Sequence, residues 1–188
     1  MLTKVNELLA GRGVGLFLWD AYRPIACQEG LWRFFWAEIQ REMPHASALQ
    51  ISQRVQQYVS DPSLFDPRNP RTWPVHTTGA AVDLTLRDLK SGELLDMGAG
   101  FDEMHEASHT AHFERLLNNG RIGEDDTRLR NRRLLYWAMR NQGFTNYSYE
   151  YWHFDYGDQV HIMALKQLGQ HAHAAWYGYV PPPTWRAR

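Results

Sequence analysis

Two histidines and an aspartate, His76, Asp83 and His153, are of the types that hold a metal ion, and their spacing lets them meet. His76 and Asp83 stand seven apart with Gly79 between them. A glycine permits the tight turn that returns a pre-strand histidine toward a strand aspartate. His153 would add the third ligand from a distant strand. Three protein ligands with a fourth position left for water are what a catalytic zinc takes. Three further side chains supply the rest of a hydrolytic site. Glu150 is the candidate general base, taking a proton from water and passing it to a leaving amine. Arg23, a permanent cation with a planar fork of donors, suits a developing oxyanion. Asp102, acceptor-only when ionised, could pair with a substrate ammonium. Asp20 either orients Arg23 or ends a strand. Glu150 and His153 are three apart, and on a regular strand such positions face opposite sides, so the backbone must turn or bulge there.

The elements that would position these residues follow from pattern. Residues 14–19 read as a buried strand leading into Tyr22-Arg23-Pro24. Pro24 suits the first turn of a helix, and Ile25–Glu42 carries an apolar face with Leu31, Phe34, Phe35 and Ile39. A second helix is expected over roughly 47–59, followed by a proline-rich loop through Pro74. Residues 81–86 alternate as a strand, and Ser91-Gly92 predicts a hairpin turn into a return strand over 93–97. Residues 97–113 read as irregular. A helix is predicted over 124–142, ended by Gly143, with Trp137 among its apolar residues. Residues 149–156 are aromatic-rich and read as a strand, and a helical tail is expected from Gln159 to the prolines at 181–183. The fold class expected is α+β, with helices packed on a small, mainly antiparallel sheet. Trp32, Trp36 and Trp137 read as core.

Composition narrows the function. A chain of 188 residues with 44% hydrophobic and 13% aromatic content suits one folded domain, 1–188, with a tail from about 170. The formal net charge of −1 argues against a nucleic-acid or anionic-membrane partner, and no apolar run reaches transmembrane length. Cys27 is the single cysteine, so no intrachain disulfide can form. Together with an N-terminus that lacks signal-peptide patterning, this predicts a cytoplasmic protein, or a periplasmic one if a leader has been removed. The abrupt start before the first strand leads us to expect a missing or unusually short preceding segment.

The segments Trp19-Asp20-Ala21-Tyr22-Arg23-Pro24, His76 to Asp83 with Leu84-Thr85-Leu86, Met97-Gly98 with Phe101-Asp102 and downstream Ser108-His109, and Glu150-Tyr151-Trp152-His153 resemble one family in matching order. They are similar to the D-alanyl-D-alanine dipeptidases, including the vancomycin-resistance type, within the zinc D-Ala-D-Ala peptidase group. The resemblance covers roughly residues 5–160. It implies one zinc per chain on His76, Asp83 and His153, Glu150 as base, Arg23 as transition-state stabiliser, and Asp102 reading the free amino group of a small D-amino-acid dipeptide. Two departures stand out. Pro74 and Val75 occupy places where the family carries serines, which bears on dipeptide preference, and the family's N-terminal segment has no counterpart before Met1.

Competing readings attach to several of these residues. His105, His109 and His112 would share a face if helical, but no base-bearing motif accompanies them, so they read as a decoy. His171 and His173 read as solvated. At the level of function, the same chemistry could serve a carboxypeptidase or endopeptidase acting on longer peptidoglycan stems. A non-catalytic binding module would ordinarily have lost the base or a ligand, and all four residues are intact.

Overall fold

The computed structural model describes residues 1–103 and 105–183. The helices are α1 (Leu2–Ala10), α2 (Ile25–Glu42), α3 (Ala48–Val55), α4 (His112–Asn118), α5 (Thr127–Arg140) and α6 (Gln159–Gln167). The strands are β1 (Val14–Asp20), β2 (Ala81–Asp88), β3 (Thr145–Asn146) and β4 (His153–Asp155). They form one four-stranded sheet in the order β1-β2-β4-β3, with every pairing antiparallel. The expected α+β class holds.

The period of two along a strand divides the sheet into a core face and a site face. On β2, Val82, Leu84 and Leu86 enter the main core, where they meet Val5 and Leu9 of α1 and Leu135, Ala138 and Met139 of α5. Asp83 and Thr85 point the other way, yet they are also buried. Register carries this division to the next strand. Val82 pairs with Phe154, another core residue, and Asp83 pairs with His153. A second apolar cluster joins Phe35 and Ile39 of α2 to Ile51, Val55 and Val59 in and after α3. α3 starts with a capping box in which Ser47 and Gln50 satisfy each other's backbone N–H groups. Asp126 caps α5 by accepting from the N–H groups of Arg128 and Leu129.

Several expectations need correction. The return strand over 93–97 is reduced to a single bridge, Arg87 to Leu94, although the turn at Gly92 forms. The expected strand 149–156 is regular only at β4, and residues 151–152 form a turn. α4 begins at the end of the stretch expected to be irregular and runs on through residues for which no element was predicted, and β3 is too short to leave a pattern. Phe34 is 57% exposed and Trp137 58% exposed, so neither belongs to the core; each lies on the outer side of its helix.

Among the described residues beyond α6, up to residue 183, the chain is not helical. Residues 176–180 cross the protein as a strap. The N–H groups of Trp176 and Tyr177 donate to the Gly157 carbonyl, the Val180 N–H donates to the Thr77 carbonyl, and the Tyr22 hydroxyl donates to the Val180 carbonyl. Tyr179 packs on Phe65 and Trp73. No described helix is long and apolar enough to cross a membrane.

Candidate metal centre

His76 sits in a 3-10 turn, Val75–Thr78, closed by Gly79 at φ +70°. That left-handed residue is the tight turn the sequence spacing requires, and it delivers the chain directly into β2. His153 opens β4. The turn before it resolves the conflict between Glu150 and His153. The Glu150 N–H donates to the Tyr147 carbonyl, the His153 N–H donates back to the Glu150 carbonyl, and both side chains reach the same side.

The three candidate ligands converge. His153 Nδ1 lies 2.9 Å from Asp83 Oδ1, and His76 Nε2 lies 3.2 Å from both His153 Nδ1 and Asp83 Oδ2. One ligand atom from each lies within 4.8 Å of the others, and among the described residues no other such group forms. Each imidazole is held by its remote nitrogen: His76 Nδ1 is 2.8 Å from the Ala21 carbonyl and His153 Nε2 is 3.1 Å from Asp155 Oδ1. With an N–H at those positions, each inward nitrogen offers its lone pair once it gives up its own proton, which is the form a metal binds. Two imidazole nitrogens and a carboxylate oxygen, all buried, fit the donor set of a catalytic zinc.

The charges respond to this crowding. Burial pushes the Asp83 carboxyl up, but the charge of His76 and hydrogen bonds from both imidazoles outweigh it and hold it well below the usual carboxylate range. Burial pushes His153 down, and the Asp155 and Asp83 carboxylates overcome it, so its pKa stands well above that of a free imidazole. Glu150 Oε2 is 3.8 Å from His153 Nδ1. Burial, with the nearby charges of Asp83 and Asp102, raises Glu150 to about 8, though His153 and Arg23 pull the other way. This is the range in which a carboxylate can take and return a proton near neutral pH.

Arg23 is fixed on three sides. Its Nε donates to Asp20 at 2.7 Å, one terminal nitrogen to Gln28 at 3.0 Å, and the other to Asp83 at 3.4 Å. Its backbone N–H donates to the His76 carbonyl, which ties the arginine to the ligand turn. Asp20 therefore orients Arg23 as well as ending β1. Asp102 is the one described residue other than glycine with a positive φ, +58°. The strained conformation is held by packing on both sides. Phe101 stacks on Trp19 with centroids 4.7 Å apart and meets Trp152 edge-on, while buried Arg132 donates to the carbonyls of Met97, Ala107 and His109. Burial and the charge of Asp83 raise Asp102 to about 6.

Arg23, Asp102, Glu150 and the three candidate ligands all line one cavity of about 190 Å³, along with Pro74, Val75 and Tyr147. The structure thus brings together every predicted site residue. It leaves the decoy histidines apart: His105 pairs with Glu103, His109 packs on Tyr149, and His112 begins α4. His171 and His173 are exposed. Sequence reasoning missed Gln28, Tyr147 and Asp155. Gln28 was findable, because it lies three, seven and eleven residues before Leu31, Phe35 and Ile39, a polar residue on a helix's apolar stripe.

Comparison with known proteins agrees with the geometry. Residues 1–173 match the family model for peptidase M15, D-Ala-D-Ala dipeptidase. The D-alanyl-D-alanine dipeptidase of Escherichia coli (strain K12) is 37% identical over 154 residues, 82% of this chain and 61% of that protein's length. The D-alanyl-D-alanine dipeptidase of Enterococcus faecium is 34% identical over 163 residues, 84% of this chain and 70% of that protein. A solved structure of VanYB in complex with D-alanine-D-alanine aligns with 90% of this chain and 74% of its own, at 15% identity and a TM-score of 0.45.

Proposed function

This chain belongs to the M15 family of D-Ala-D-Ala dipeptidases, and from that premise we propose that it acts as one zinc peptidase domain that hydrolyses D-Ala-D-Ala to two D-alanines. The observation that carries the reading is the buried convergence of His76, Asp83 and His153, with Glu150 3.8 Å from His153. One zinc ion per chain, held by those three, would supply Lewis acidity and make water acidic enough to act as a nucleophile near neutral pH. Glu150 takes the proton of the attacking water and returns it to the leaving amine. Its burial keeps that proton in the site. Arg23, already locked by Asp20 and Gln28, presents its guanidinium to the oxygen on which negative charge develops. Asp102 pairs with the substrate ammonium, whose charge would draw the raised carboxyl back toward its ionised form.

Size favours a small substrate. The cavity of about 190 Å³ is below the roughly 300–1,000 Å³ of drug-sized ligand pockets. Pro74 and Val75 make part of its wall apolar, which suits a methyl side chain. Exposed Cys27, the lone cysteine, is compatible with a cytoplasmic setting. The test is D-alanine release from D-Ala-D-Ala and from its N-acetylated form, with zinc and with a chelator. Chelator-sensitive release from the free dipeptide alone is expected. Equal turnover of both forms would overturn the role of Asp102 and favour a peptidase for longer peptidoglycan stems.

A further inference from the structure

We propose that Asp155 is a positioning residue of this site, fixing the His153 imidazole so that Nδ1 faces His76 and Asp83. The inference rests on the reading of His153 as a metal ligand. His153 and Asp155 are two apart on β4, so both side chains leave the same face of the strand. Asp155 Oδ1 meets His153 Nε2 at 3.1 Å, on the opposite side of the ring from the nitrogen that faces Asp83 at 2.9 Å. An imidazole that gives its Nε2–H to a carboxylate keeps its lone pair at Nδ1 and cannot rotate without losing that bond.

Asp155 is itself held from several directions. It is fully buried, and its backbone pairs with Ala81 of β2 and Thr145 of β3. Its carbonyl lies 3.1 Å from His161 Nδ1 in α6. Its second carboxylate oxygen, Oδ2, is sealed from solvent without a hydrogen-bond partner, and so is Oδ2 of Asp158. Asp158 is also fully buried, and its other oxygen caps α6 by accepting from the His161 N–H at 2.8 Å. The two carboxyls are near enough for the charge of Asp155 to act on Asp158. Two buried oxygens with no donor are costly, and a proton taken up by Asp158 lowers that cost by removing one of the two charges. Burial and the charge of Asp155 raise Asp158 to about 7, in keeping with that arrangement. The result is a buried row of charged groups running from Asp158 at the start of α6 to Asp155 and His153. Ala81, the small residue across from Asp155, lies in the same row of the sheet.

The test measures zinc affinity of the full chain by competition with a chromophoric chelator, using zinc alone, for wild type, Asp155→Ala, Asp155→Asn and Asp158→Asn. Near-UV circular dichroism reports folding, and the imidazole N–H proton resonance of His153 reports its hydrogen bond. Asp155→Ala is expected to bind zinc about 10–100-fold more weakly. Asp158→Asn keeps an acceptor for the helix cap and offers Asp155 an amide donor, so its affinity should match wild type. Folded Asp155→Ala with wild-type affinity would overturn the proposal. Should Asp155→Ala fail to fold, Asp155→Asn decides: weaker zinc and a displaced His153 N–H resonance support the proposal, and no change in either refutes it. Wild-type protein that binds no zinc would remove the metal reading and this inference with it.

Discussion

Replacing Glu150 by glutamine should abolish turnover and, in the metal-free protein, increase stability. The carboxyl is buried and raised to about 8 from 4.5, so at neutral pH the folded chain holds a proton that the unfolded chain releases. For a raised acid the sign is fixed. Stability is fullest below the unfolded pKa and is lost as pH climbs to the folded one. At 1.36 kcal/mol per unit, the interval from 4.5 to 7 corresponds to about 3 kcal/mol of stability lost at pH 7. Glutamine is neutral at every pH and has the shape of the protonated acid, so Glu150→Gln escapes the loss. The assay is urea denaturation of both proteins in chelator at several values between pH 4.5 and 8. The two should be similar near pH 4.5, and the variant's advantage should widen with each unit until about pH 8. An advantage that is absent, or that does not grow with pH, would refute the argument. So would a variant that retains turnover, since the base would then lie elsewhere.

The other predictions concern the residues around it. Asp102→Asn should raise KM for D-Ala-D-Ala far more than it lowers kcat, and the acid limb expected near pH 6 in the kcat/KM profile of the wild type should be missing from the variant; a limb retained in the variant would assign it to another group. Gln28→Leu removes the partner of both Arg23 and the Ser60 carbonyl, so kcat should fall while zinc affinity stays the same, at a stability cost of about 1–3 kcal/mol visible in thermal melts. Phe154→Ala, on the core face of β4 between two site residues, should cost about 3–5 kcal/mol in denaturant titrations, the loss expected of a fully buried aromatic.

Much of the site was legible because its spacing and its strand periodicity state the same thing. The alternation of Val82, Leu84 and Leu86 with Asp83 and Thr85 marks β2 and also says which face carries chemistry. α2 occupies the span its periodicity predicts, Ile25–Glu42. What escaped has physical causes. β3 and β4 hold two and three residues, too few for a period to show, and their pairing is fixed by neighbours distant in sequence. The aromatic run at 149–152 has strand-like composition, but three backbone hydrogen bonds of a turn decide its shape. On α5 Trp137 stands two residues from buried Leu135 and two from buried Met139, which puts it on the opposite side of the helix and leaves it outside. Asp155 follows a histidine by two residues like any surface acid, and only register with β2 and β3 puts it in the interior.

The strap over residues 176–180 gives the site an order of assembly. The Tyr22 hydroxyl and the Val180 carbonyl it bonds are 158 residues apart, and the Val180 N–H secures the residue next to His76. Contacts of such separation form late, after the entropy of closing the long loop between them has been met. On the ribosome, the turn bearing the first candidate ligand and the arginine beside it emerge well before the strap that fastens them from outside. A nascent chain can therefore bury its sheet and helices before the turn bearing His76 is secured from outside, and a strap made much later in synthesis fastens residues made much earlier.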